Sequence, residues 1–278
     1  MSPDDPVASR PDGDWLALCR RAGEAVAVAL ERYPTRAERE RPTGRGEGGD
    51  VALVIDRAAE DAVFAELEAL GRPMTVISEE RGHVALGGGG PVHVVVDPID
   101  GSLNAKRGLP FHCVSIAVAC GPTMGDVEVG YVLDLATGEE WWAERGAGAH
   151  LDGNRLAKPD PAPLEILAIE SAHPANVAAA ADALAATGAA RLRALGSIAL
   201  SLCSVAAGRA DAMVSLRAAR SVDAAAAQLV VREAACSVAF PDHGRDPLTT
   251  PLALDMRSRV VAATTPVALE DLVRGVAT

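Results

Sequence analysis

Two aspartates three residues apart close an apolar run in the segment Asp97-Pro98-Ile99-Asp100-Gly101-Ser102. Pro98 fixes the turn between them, and Gly101 lets the backbone approach a ligand closely. If Gly101 and Ser102 open a helix, their free N–H groups form an anion site. Hard oxygen donors beside anion-binding amides are what divalent-cation and phosphate chemistry requires. The plainer alternative is a capped turn, since Asp-Gly is ordinary turn chemistry.

Other acids shift that balance. Glu79 and Glu80 lie just past another apolar run, Asp50 and Asp56 flank a helical pattern, and Asp223 starts one. Taken singly, Asp56 and Asp223 read as N-caps and Glu79 and Glu80 as solvated charge. Taken together they point to one cleft. Two carboxylates about 4 Å apart repel by roughly 4 kcal/mol at an effective dielectric near 20, so such a group gathers only around cations. Bound divalent ions would also let an acidic protein hold an anionic substrate.

The elements that must position these acids follow from periodicity. Trp15, Cys19, Ala22, Val26, Ala29 and Tyr33 share one helical face, with Asp12 or Asp14 as N-cap and Pro34 as the stop. Arg36 to Gly49 lacks apolar periodicity and reads as a mobile surface loop. A second helix is expected from about Asp56 to Leu70. Met74–Ile77, Val92–Val96, Cys113–Ala119, Val127–Leu133 and Glu140–Ala143 read as strands of a mostly antiparallel sheet. Beyond a boundary near Pro159 to Pro163, strands 166–169, 191–195, 212–215 and 260–263 alternate with helices after Pro174, from Ser197 to Gly208, across Asp223 to Ala235, and from Pro266. The chain thus divides into an α+β half over residues 1–160, which holds most of the acidic motifs, and an α/β half over residues 161–278, which brings Asp223 to complete the same cleft.

Composition bounds the rest. With 278 residues, 49% of them hydrophobic, the chain can bury a sizeable core. Its net charge of −12 argues against a general nucleic-acid binder. No segment has the length and apolarity of a membrane span, and the polar, acidic N-terminus lacks the pattern of a signal peptide, so a cytoplasmic protein without membrane partners is expected. The odd set Cys19, Cys113, Cys120, Cys203 and Cys236 reads as buried free thiols. The histidines show no zinc spacing, the glycine clusters lack the lysine of a P-loop, and no Gly-x-Ser-x-Gly elbow is present.

The chain resembles the inositol monophosphatase family, the Mg²⁺-dependent, lithium-sensitive sugar phosphatases. The resemblance rests on Asp97-Pro98-Ile99-Asp100-Gly101-Ser102-Leu103-Asn104 followed by Pro110 and Ser115-Ile116-Ala117. It rests also on Ser78-Glu79-Glu80, on Asp56, and on Ser221-Val222-Asp223-Ala224-Ala225 leading to Glu233-Ala234. Tyr131 to Asn154 looks like the archaeal-type branch, whose members often hydrolyse both inositol phosphates and fructose 1,6-bisphosphate. The resemblance implies a mixed α+β fold, a five-layer αβαβα sandwich, usually as a homodimer. It implies that Glu79, Asp97, the Ile99 carbonyl, Asp100 and Asp223 hold two or three Mg²⁺ ions, with phosphate resting on the Gly101 and Ser102 amides. Ser102, in place of the commoner threonine, would pair with Asp56 and orient the attacking water, and Glu79 would share in catalysis. Gly196 and Ser197 match the region that contacts substrate hydroxyls.

Some positions depart from the pattern. Val222 replaces a tryptophan, and Ala235-Cys236 replaces a glycine pair. Arg45 is the nearest cation where many relatives carry a mobile-loop lysine. Leu216 stands where the animal enzymes place an acid against inositol, while Arg217 and Arg220 lie nearby, able to hold a second phosphate or simply to cap a surface loop. The expected activity is hydrolysis of a small sugar or polyol phosphate monoester, inositol monophosphate being the pattern. Fructose 1,6-bisphosphate, 3′-phosphoadenosine 5′-phosphate and histidinol phosphate are alternatives. A non-catalytic regulatory protein on the same scaffold is the rival of another class.

Overall fold

A computed structural model describes residues 13–47, 51–244 and 246–275. Helix α1 (Trp15–Glu31) is capped by Asp14, whose carboxylate accepts the Ala17 N–H at 2.9 Å. The alternative cap Asp12, and Asp50, lie outside the described residues. A short helix α2 (Arg36–Arg39) and a hairpin of β1 (Pro42–Arg45) and β2 (Val51–Leu53) lead into α3 (Val54–Ala69). Next come β3 (Met74–Ser78), β4 (Gly82–Leu86), β5 (His93–Asp100), α4 (Ser102–Arg107), β6 (Cys113–Ala119), β7 (Val127–Asp134), β8 (Glu140–Glu144), β9 (Gly148–Leu151) and β10 (Asn154–Arg155). The rest of the chain forms β11 (Ile166–Glu170), α5 (Pro174–Ala179), α6 (Ala181–Ala186), β12 (Arg191–Arg193), α7 (Ile198–Ala206), β13 (Ala212–Ser215), α8 (Ser221–Glu233), β14 (Ser237–Ala239), β15 (Val261–Ala263) and α9 (Pro266–Gly275).

These elements stack in five layers, α–β–α–β–α. An eight-stranded sheet runs β10-β9-β8-β7-β6-β5-β3-β4 and is antiparallel except where β3 and β5 run parallel. A five-stranded sheet runs β12-β11-β13-β15-β14, parallel across β12, β11 and β13 and antiparallel beyond. The period-two alternation of strand side chains builds the layers. On β5, Val94 and Val96 pack towards α1 and α3, while Val95 packs towards α7 and α8. On β11, Leu167 and Ile169 face α6 and α9, while Ala168 faces α7 and α8. The middle core therefore contains residues from both halves of the chain. Helix α8 is buried on almost every side, and its alanines let it sit close to the sheet. At Gly130 on β7 a Cβ would run into the Ala226 carbonyl of α8, so only glycine permits this approach.

Several expected boundaries are corrected. Arg36 to Gly49, read as a mobile loop, contains α2 and the first strand of a hairpin. Thr35 and Glu38 form a capping box, and β1 pairs antiparallel with β2 through backbone bonds that leave no apolar pattern. Helix α3 starts at Val54, so Asp56 is not its N-cap but its third residue, with Oδ2 accepting the Leu53 N–H at 2.9 Å. Asp223 does the same in α8, accepting the Arg220 N–H at 2.8 Å. In both helices an acid in the first turn reaches back to the cap residue with one carboxylate oxygen. Strands β4, β9, β10 and β14 were not expected.

Candidate active site

The ends of several strands and helices meet at one cavity of about 630 Å³. It is lined by Asp56 from α3, Glu79 and Glu80 after β3, and Asp97, Ile99 and Asp100 from β5. Gly101, Ser102 and Lys106 of the following turn and helix, Gly196 and Ile198 before and within α7, and Arg220 and Asp223 at the start of α8 complete the wall. All the expected metal-ligating residues and both expected phosphate-binding residues thus share this cavity.

Local geometry explains each placement. Asp97 accepts the Ile99 N–H at 3.0 Å, which folds the Asp-Pro-Ile-Asp segment so that both aspartates face the cavity. Gly101 has φ of 93°, and a Cβ there would lie 2.8 Å from the Phe111 carbonyl oxygen and 3.1 Å from that of Gly196. No L side chain fits such a place. Ser102 Oγ donates to the Ile99 carbonyl at 2.9 Å and sits beside Asp56, whose carboxyl it helps to hold down against the upward push of burial. Asp100 Oδ2 accepts the Ser197 hydroxyl at 2.7 Å and the Ala199 N–H at 2.6 Å, tying the first half of the chain to the start of α7. Ser197 therefore braces Asp100 and does not itself line the cavity. Arg217 is exposed and does not line it either, so of the two arginines only Arg220 reaches the site.

Other residues of the site carry no plain mark in the sequence. Lys106, one turn after Ser102 on α4, lines the cavity and lowers the Asp56 carboxyl by its charge. Glu60, fully buried on α3, accepts the Ser78 hydroxyl, the Arg81 N–H at 3.0 Å and Arg81 Nε at 3.1 Å, anchoring the turn that carries Glu79 and Glu80. Its signal was its spacing, one helical turn after Asp56. Glu170 accepts the Gly196 N–H at 2.9 Å and the Ser201 hydroxyl at 2.6 Å, which fixes the turn before α7. It also lines a neighbouring cavity of about 700 Å³ that shares Asp100, Leu103, Gly196 and Ile198 with the first.

The electrostatics are those of acids crowded out of water. Burial, with the charges of Asp223, Glu80 and Asp56, pushes the Glu79 carboxyl up to about 8 against the opposing pull of Arg220. Burial and Asp56 push Glu80 to about 7, and burial and Asp223 push Asp100 to about 7. Asp97 is raised well above the carboxylate range by burial and by Glu79, Asp100 and Asp223. Asp56 Oδ1 and Glu80 Oε2 are buried without a hydrogen-bond partner. Orphaned carboxylate oxygens in a mutually repelling, all-oxygen donor set fit a hard divalent cation such as Mg²⁺. Among the described residues no group of three or more acids, histidines or cysteines is already set to hold a metal ion.

Carboxylates from strand and helix ends thus line one cavity inside a five-layer αβαβα sandwich. The chain belongs to the inositol monophosphatase family, whose family description matches residues 15–277. It is 35% identical over 230 residues to a fructose-1,6-bisphosphatase/inositol-1-monophosphatase of Methanothermobacter thermautotrophicus, covering 79% of this chain and 82% of that one. It is 31% identical over 252 residues to a Nus factor SuhB of Pasteurella multocida, covering 88% and 91%. In fold it matches the crystal structure of an inositol monophosphatase–fructose 1,6-bisphosphatase with a TM-score of 0.82 and 24% identity, over 94% of this chain and 99% of that one.

Proposed function

We propose that the protein is a Mg²⁺-dependent phosphatase that hydrolyses a small sugar or polyol phosphate monoester. One observation carries the reading: acids from β3, β5, α3 and α8, far apart along the chain, line a single cavity beside the glycine-started helix α4. Glu79, Asp97, the Ile99 carbonyl, Asp100 and Asp223 would hold the metal. When bound, the ion supplies the positive charge that a phosphate ester needs to be attacked by water and to release its alcohol. The chain's own groups do the rest. The Gly101 and Ser102 amides at the start of α4 bind phosphate oxygens. Asp56 and Glu79 offer carboxylate oxygens to a water proton, and Ser102 orients that water. Gly196, with Ser197 behind it, shapes the wall against the alcohol.

The neighbouring cavity gives the alcohol its room, and the substrate preference among inositol 1-phosphate, fructose 1,6-bisphosphate, histidinol phosphate and 3′-phosphoadenosine 5′-phosphate is read by competition among the four. Phosphate release from at least one of them should require Mg²⁺ and stop on chelation. Asp97→Asn and Asp223→Asn should each lower turnover by at least about a hundredfold with the circular dichroism unchanged, as expected for removal of a metal ligand. Release indifferent to chelator would contradict the reading.

The kinship to Nus factor SuhB proteins favours a second reading, a regulatory role on the same scaffold. A role of that kind survives Asp97→Asn, whereas the hydrolytic one does not. A homodimer is the assembly proposed, and light scattering on the purified chain measures it.

A further inference from the structure

Arg220 is placed unlike a substrate-binding arginine on a rim. Its guanidinium Nη2 lies 2.5 Å from Glu79 Oε1 and its Nε 3.7 Å from Asp223 Oδ1, and its side chain is only 18% exposed. It therefore bridges the end of β3 to the start of α8, joining acids from the two halves of the chain. These are two of the oxygen donors assigned to the metal. Arginine keeps its charge at every accessible pH, so it does not vacate such a position by losing a proton. It leaves only by moving.

We propose that Arg220 is a built-in counterion of the acid cluster and competes directly with the divalent cation for Glu79 and Asp223. In the metal-free protein the guanidinium offsets a repulsion that would otherwise loosen the junction of β3 and α8. With an ion bound to Glu79 and Asp223, the guanidinium would give up Glu79. The competition weakens metal binding while it steadies the acid cluster. This inference rests on the metal site proposed above.

The test is calorimetric titration of Mg²⁺ into the wild-type chain, Arg220→Gln and Arg220→Lys, with thermal melts of each in chelator. Removing a charge-assisted competitor should tighten Mg²⁺ binding by about ten- to a hundredfold in Arg220→Gln. Arg220→Lys, which keeps the charge but not the planar fork, should fall between Arg220→Gln and the wild type. In chelator Arg220→Gln should melt below the wild type, and Mg²⁺ should raise its melting temperature more than it raises that of the wild type. An unchanged or weaker Mg²⁺ affinity in a folded Arg220→Gln overturns the inference and leaves the metal site standing. Absence of Mg²⁺ binding in the wild type and both variants removes the metal site and the inference with it.

Discussion

Buried carboxylates that repel one another hold on to their protons, and at Glu79 the charge of Arg220 offsets that push only in part. At Glu79 and Asp100 the folded chain holds the carboxyl groups at about 8 and about 7, whereas an unfolded acid titrates near 4. Between those values the folded state binds more protons than the unfolded state, so stability falls as pH rises. The contribution of this cluster is present in full below the unfolded value and is lost as pH climbs through about 7 to 8. In chelator the protein should therefore melt at a higher temperature at pH 5.5 than at pH 8.5. The difference should shrink in Asp97→Asn, which removes one member of the repelling set. Saturating Mg²⁺ should reverse the trend, because the ion binds the deprotonated acids. A wild-type chain that melts higher at the alkaline pH in chelator would contradict this account. At this scale much of the site is legible in sequence, since residue type and adjacency mark Asp97, Asp100, Gly101 and Ser102 directly. What spacing cannot convey is which partner a long side chain chooses. Arg217 and Arg220 look alike in sequence, yet one is exposed and the other is bonded to Glu79.

Elements with strong periodicity are read well, and those held by backbone pairing alone are not. Helix α1 is legible because its apolar residues recur every three to four positions, and strands β6 and β13 are legible as short apolar runs. The hairpin of β1 and β2 is hidden because Pro42 to Arg45 contains no apolar residue, and its pairing with Val51 to Leu53 is set by chain reversal. Strand β14 is hidden because serine opens it and only Val238 is buried. The end of α8 carries a further consequence. Ala235 has φ of 58°, a left-handed conformation that costs an L residue roughly 1–2 kcal/mol, and it is exposed. Ala235→Gly removes that cost but returns part of it by loosening the unfolded chain. The net effect should be a stabilisation of about 0.5–1 kcal/mol in urea unfolding, with metal affinity unchanged. A destabilised Ala235→Gly would mean that the left-handed turn is not strained.

Across the whole molecule, the site exists only because the two halves share one core. Asp97 and Asp100 are delivered by the eight-stranded sheet, and Asp223 by a helix sandwiched between the two sheets. Ser197 and Ala199, at the start of α7, bond Asp100 and lock the halves together at the cavity. An ion gripped across this junction should stabilise the folded chain as a whole, by about 2.7 kcal/mol at a hundred times its dissociation constant. The most direct measurement is anomalous diffraction from crystals grown with Mn²⁺ as a hard-cation stand-in for Mg²⁺. The account predicts a peak between Asp97, Asp100 and Asp223, with Glu79 turned towards it. Anomalous density elsewhere in the crystal and none among these four acids would contradict it.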